Sequence, residues 1–91
     1  MLTIHPTARF RRSFQKQPSS IRKDFAQKIE IFQKNPFHPS LHSHKLRGNL
    51  DEYYAFYLRD GFRVLFDFDT SDVVLLVNIG NHDDYRKWAR G

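Results

Sequence analysis

The stretch Tyr53 to His82, YYAFYLRDGFRVLFDFDTSDVVLLVNIGNH, constrains this chain most, because its pattern reads as three consecutive antiparallel strands ending in a histidine. Asp60-Gly61 separates two segments rich in aromatic and β-branched residues, and Asp-Gly supplies the positive φ angles of a tight two-residue hairpin turn. Beyond it, Phe62, Val64, Phe66 and Phe68 alternate with Arg63, Leu65, Asp67 and Asp69. One face of that strand is therefore apolar, the other mostly polar, and Arg63 points away from the Phe residues. The turn Asp69-Thr70-Ser71-Asp72 leads into Val73 to Ile79, a nearly continuous apolar run of the kind a strand shows when both its faces are covered. Gly80 ends it.

Ninety-one residues suit a single domain, 1–91, that buries roughly 60 per cent of its unfolded surface. Nine Phe, four Tyr and one Trp supply much of the core. With no cysteine there is no disulfide framework and no thiolate ligand or nucleophile. No apolar run reaches membrane-spanning length, and Met1 to His5 lacks the charged start and apolar block of a secretory signal, so a cytoplasmic protein without membrane association is expected. Lys and Arg outnumber Asp and Glu by 15 to 10, a balance that favours a polyanion or an acidic protein partner. The cations crowd the segment Arg9 to Lys34, where Arg11, Arg12 and Lys23 are among eight that face only Asp24 and Glu30.

The rest of the chain supplies what such a sheet needs. Leu2 to His5 reads as an edge strand, and Pro6-Thr7 as a break. Phe10 and Phe14 share one face of a short helix. After Pro18, with a serine available as N-cap, Ile21, Phe25, Ile29 and Phe32 form an apolar stripe that predicts an amphipathic helix ending before Asn35-Pro36. Asn35 to Ser43 is a loop, and His44 to Gly48, HKLRG, can open a further strand. Asn81 with Asp84 three on resembles a capping box that starts a short terminal helix. The expected fold is α+β: two N-terminal helices packed on one face of an antiparallel sheet of about four strands, with a short C-terminal helix.

Metal-free RNA cleavage needs a group to take the 2′-hydroxyl proton, a group to protonate the leaving 5′-oxygen, and cations for the phosphate. This chain can offer all three from one sheet surface. Arg63 is the phosphate candidate, although the pattern equally allows it to pair with an aspartate on the next strand. His82 follows the longest strand, and an imidazole, with its ordinary pKa of about 6.5, serves as acid or base near neutrality; a backbone-bonded helix-terminus histidine is the bland alternative. His44, Lys45 and Arg47 converge on the same surface if HKLRG is a neighbouring strand, or else Lys45 and Arg47 are a solvated edge. Tyr85 can orient His82, stack on a base, or, like Trp88, simply pack. His38, His42 and His44 lie on a proline-containing loop without helix spacing or cysteine, and Asp67, Asp69 and Asp72 straddle a turn, so neither set is read as a metal site.

From His44 to Trp88 the sequence resembles the RelE/ParE superfamily, the toxin halves of bacterial type II toxin–antitoxin pairs. The resemblance spans nearly the whole chain. It includes Phe10 and Phe14, the helix end at Asn35-Pro36 and the H-K-L-x-G block at His44 to Gly48, and it is most specific at Arg63-Val64-Leu65-Phe66 and at I-G-x-H-D, Ile79 to Asp83. For the RelE-like branch it implies a compact α+β fold and a ribosome-dependent endoribonuclease that cuts mRNA in the A site without metal or other cofactor. It further implies a cognate antitoxin, with the ribosome and mRNA as partners. The matching positions make Arg63 the stabiliser of the scissile phosphate and His82, beside Tyr85, general acid or base. His44 is then the complementary proton carrier, and Lys45 and Arg47 contact message or ribosomal RNA, as would Arg11, Arg12 and Lys23 on the basic helices. Two departures stand out: Leu46 separates the basic pair, and no glutamate occupies the positions where other members carry a base. The alternative within the resemblance is a ParE-like DNA gyrase inhibitor without nuclease activity, which typically lacks the set Arg63, His82 and Tyr85. A third is a member that only binds its antitoxin within a repressor.

Overall fold

The computed structural model of the protein describes residues 1–90. Strand β1 (Thr3–Pro6) is followed by helices α1 (Ala8–Gln15) and α2 (Ser19–Lys34), and then by strands β2 (His44–Lys45), β3 (Tyr54–Tyr57), β4 (Arg63–Thr70) and β5 (Val73–Gly80). Helix α3 (His82–Arg90) comes last. The strands form one sheet in the order β1-β5-β4-β3-β2. The α+β class holds, with two corrections to the expected arrangement. The sheet has five strands, and it is mixed: β1 runs parallel to β5 while the other neighbours are antiparallel. Thr7 accounts for the closing contact. Its backbone N–H and its hydroxyl both donate to Leu76 O, at 3.0 and 2.8 Å, and its Oγ1 accepts from Phe10 N as the cap of α1. One residue thus ties the end of β1 and the start of α1 to β5.

Helix α2 starts one residue earlier than a serine cap would place it. Pro18 occupies the cap position without a side-chain bond, and its carbonyl accepts from Ile21 and Arg22 N–H. The predicted stripe does face the core: Ile21 and Phe32 are fully buried, with Phe25 and Ile29 packed beside them. Phe32 stacks on Phe56 and meets Phe66 edge-on, at 4.7 and 4.8 Å between ring centroids.

The Asp60-Gly61 turn forms as expected, with φ of 57° and 76°, and Phe62 N donates to Arg59 O. Leu58 N also donates to Phe62 O while Tyr57 pairs with Arg63, so the first strand carries one extra residue at this end. A second irregularity shapes β5. Leu65 pairs with Asn78 and Phe66 with Leu76, leaving Val77 as an inserted residue. Without that bulge Leu76 and Ile79, three apart, would point to opposite faces; with it both enter the core under α1 and α2.

The second face is not merely polar. Leu46, Leu50, Ala55 and Leu65 form a smaller apolar cluster there, covered by Tyr85, Trp88 and Ala89 of α3. The helices therefore divide between the two faces, rather than all lying on one. Helix α3 opens with a reciprocal cap, Asn81 N to Asp84 Oδ2 at 3.0 Å and Asp84 N to Asn81 Oδ1 at 2.9 Å. Its carboxylate lies against Gly80, where an added Cβ would come within 2.6 Å of Asp84 Oδ2. No helix among the described residues is long and apolar enough to cross a membrane.

Two measurements test these points. Gly80→Ala should lower stability to urea by about 1–3 kcal/mol, because the new methyl has to push the cap aside. Asp24 joins α2 to the hairpin turn by accepting from Arg59 N at 2.8 Å and pairing with Lys28 at 3.2 Å. Burial raises its pKa, but the Arg59 N–H, the Lys28 hydrogen bond and the two cationic charges outweigh that and hold it below the ordinary 3.8. A carboxylate depressed in the folded state contributes stability above its unfolded pKa and loses it as pH falls through the folded value. Asp24→Asn should therefore cost stability at pH 7, and the difference from wild type should shrink below about pH 4.

Candidate active site

Arg63 begins β4 and is 8 % exposed. Alternation sets it on the α3 face, and no carboxylate meets it there: the ion pairs among the described residues are Lys28 with Asp24 and Arg59 with Asp60. Burying a guanidinium without a counter-charge is costly unless its donors are otherwise satisfied. Here two aromatic rings and two acceptors do so. The Arg63 Cζ lies 4.9 Å from the Tyr57 ring centroid and 4.8 Å from that of Tyr85. Nε and Nη2 donate to Gly61 O at 3.3 and 3.0 Å, and Nη2 also reaches His82 Nδ1 at 3.4 Å. Nη1 has no protein partner among the described residues. Because no fully buried side-chain nitrogen or oxygen among the described residues lacks one, that nitrogen keeps some contact with solvent.

His82, the first residue of α3, is exposed, and its ring is stacked 6.4 Å from Tyr85. It reaches Arg63 because Gly80 pairs with Arg63 across β4 and β5 and the cap at Asn81 turns the chain directly into the helix. Asp83 makes no hydrogen bond to it; the acidic residue that works at this helix start is Asp84. His44 pairs with Ala55, which puts it on the same face as Arg63, and its ring stacks on Tyr57 at 5.6 Å and 17°. Its Nδ1 lies 3.2 Å from His42 O. An open cleft of about 430 Å³ lies alongside, lined by His44, Lys45, Leu46, Arg47 and Tyr85.

Four of the expected residues, His44, Arg63, His82 and Tyr85, thus share one surface, and Arg47 borders it. Lys45 borders the same cleft, but its ammonium turns away from it. Adjacent strand residues face opposite ways, so Lys45, paired with Tyr54, carries its ammonium 5.8 Å from the Tyr54 ring on the α2 side. Arg11, Arg12 and Lys23 are exposed on α1 and α2, over the other face of the sheet. Arg11 donates to Pro6 O at 2.8 Å, and Lys23 borders an open groove with Asp24 and Arg59. The residue that sequence reading passed over is Tyr57. No sequence signal pointed to it: a plain two-residue turn would set Leu58 across from Arg63, and only the extra residue in β3 brings Tyr57 there. His38 binds Ser40 locally, and no three His, Cys, Asp or Glu side chains among the described residues are grouped to hold a metal.

The fold is similar to that of several solved toxins of toxin–antitoxin systems. The chain aligns over 92 % of its length with 96 % of a chain in the RelB-RelE antitoxin–toxin complex of Methanococcus jannaschii, at a TM-score of 0.74 and 16 % identity. Against the RelBE2 toxin–antitoxin complex of Mycobacterium tuberculosis the figures are 89 %, 98 %, 0.67 and 20 %. Against YafQ of Escherichia coli they are 93 %, 98 %, 0.68 and 10 %. No family model and no curated protein matches the sequence.

If the open guanidinium nitrogen is an anion site, inorganic phosphate should shift the NMR signals of the Arg63 Nε–H and the His82 ring saturably, with the effect weakening as salt rises. Arg63→Gln should abolish the shift at His82.

Proposed function

We propose that this chain is the toxin of a type II toxin–antitoxin pair and a ribosome-dependent, metal-independent endoribonuclease that cuts mRNA in the A site. The observation that carries the reading is the buried, carboxylate-free Arg63, with His82 against its guanidinium on one side and, on the other, His44 sharing the Tyr57 ring with it. A structural arginine would be paired; this one is held ready for an anion that the protein does not supply.

The hydrogen bonds support a division of labour between the histidines. A carbonyl can only accept, so His44 Nδ1 carries the proton and Nε2 keeps its lone pair, as a base requires. A guanidinium can only donate, so His82 Nδ1 accepts from Arg63 and the Nε2–H is the free donor. In the reaction His44 Nε2 takes the 2′-hydroxyl proton and the 2′-oxygen attacks phosphorus. Arg63 turns toward the growing charge, which releases His82 Nδ1 to take up a proton from solvent, while His44 later returns its own to solvent. The imidazolium then gives its Nε2 proton to the departing 5′-oxygen, leaving a 2′,3′-cyclic phosphate and a 5′-hydroxyl. Tyr85 keeps Arg63 and His82 side by side. Arg47 would hold message at the cleft, while Lys45, Arg11, Arg12 and Lys23 would meet ribosomal RNA phosphates through other surfaces, so that association falls steeply with salt. The RelB-RelE and RelBE2 complexes contain antitoxins. By analogy this chain's partner is an acidic, partly disordered cognate antitoxin in the cytoplasm.

The test is cleavage of a defined message on programmed ribosomes, with the ends mapped. Wild type should cut within the A-site codon. Arg63→Ala should be slower by roughly 10²–10³-fold and His82→Ala by roughly 10²–10⁴-fold. Intact messages together with DNA damage on induction would replace this reading with gyrase inhibition.

A further inference from the structure

The geometry points to Tyr57 as a positioning residue that couples the phosphate-binding arginine to the histidine base. This deepens the nuclease reading and rests on it. Tyr57 lies on β3, the strand between those that carry Arg63 and His44. Its ring takes the Arg63 guanidinium at 4.9 Å and the near-parallel His44 imidazole at 5.6 Å. His44 otherwise sits on a two-residue edge strand and is exposed, with one backbone contact through Nδ1. No other contact among the described residues fixes the imidazole plane.

Such a short strand is a weak support for a side chain that has to meet a 2′-hydroxyl in one orientation. Stacking on Tyr57 removes that freedom. Because the same ring also bears Arg63, it sets the base relative to the phosphate site, as well as relative to the backbone. Tyr57 is itself held within the sheet, half-buried and paired with Arg63 in the β3–β4 ladder. Its hydroxyl makes no protein hydrogen bond among the described residues, so the flat ring is the part that matters. Tyr85 does the corresponding work on the other side, where it meets Arg63 at 4.8 Å and His82 at 6.4 Å. The five side chains form a continuous series, His44, Tyr57, Arg63, Tyr85 and His82, with a proton carrier at each end and the phosphate ligand in the middle.

The experiment compares Tyr57→Phe with Tyr57→Leu in two readouts, after thermal denaturation has shown both variants folded at the assay temperature. The first is turnover on programmed ribosomes. Tyr57→Leu should lower kcat by roughly ten- to a hundred-fold with KM nearly unchanged, and Tyr57→Phe should restore wild-type turnover. The second is NMR of the free protein, which needs no activity. The ring-current displacement of the His44 ring protons and the Arg63 Nε–H signal should be kept in Tyr57→Phe and lost in Tyr57→Leu. Unchanged His44 and Arg63 signals in Tyr57→Leu would overturn the proposal. A raised KM with unaltered kcat would overturn it as well, since Tyr57 would then be an RNA contact. Signals that move in a wild-type background that cuts no message would sink the nuclease reading while leaving the shared ring established.

Discussion

The pairing of β4 with β5, and the inserted Val77 within it, is the constraint on which the other features depend. A strand offers alternate residues to alternate faces, and β4 uses this to build two cores at once. Val64 and Phe66 go under α1 and α2, and Leu65 goes under α3. An unbroken β5 could not match it, because Leu76 and Ile79 are both needed on the first side. The bulge moves them there, sets Val77 beside Leu65, and leaves Gly80 across from Arg63. Gly80 then admits the Asp84 carboxylate that caps α3, and the cap delivers His82 to the guanidinium. Core packing and site geometry are consequences of the same register shift.

Arg63 shows how a protein can bury a cation without committing it. A carboxylate partner would stabilise the folded chain and also compete with any phosphate. Two ring faces, a backbone carbonyl and the His82 Nδ1 hold the guanidinium instead, and no carboxylate offsets its charge. Cation–π contact with a desolvated arginine is worth about 2 kcal/mol, enough to support the burial and weak enough to leave the arginine available to an anion. The chain's excess of Lys and Arg lies mostly elsewhere, on α1 and α2, away from Arg63.

Much of the site was legible in the sequence because it hangs on short-range signals. Asp60-Gly61 dictated the turn, the alternation after it set Arg63 apart from the Phe residues, and Asn81 with Asp84 marked where a helix would start next to His82. His44 and Lys45 both border the cleft, but neighbouring strand residues face opposite ways, and the sequence does not say which side chain takes the Arg63 face until Ala55 and Tyr54 are known as their partners. Tyr57 went unread since its role is a contact between three strands rather than a motif. The serine cap of α2 failed because Pro18, with its fixed φ, already supplies a helix start.

What the sequence determined by itself is whatever follows from periodicity and turn chemistry over a few residues: the elements, their apolar faces, the hairpin and the final cap. Tertiary structure alone decided the parallel pairing of β1 with β5, the division of helices between two faces and the bulge at Val77. Each of these is a choice among partners tens of residues apart. In the run from Val73 to Val77 every side chain is apolar, so no local pattern distinguishes one register from its neighbour. Only the packing of Leu76 and Ile79 beneath the helices, against Val77 beneath α3, selects between them.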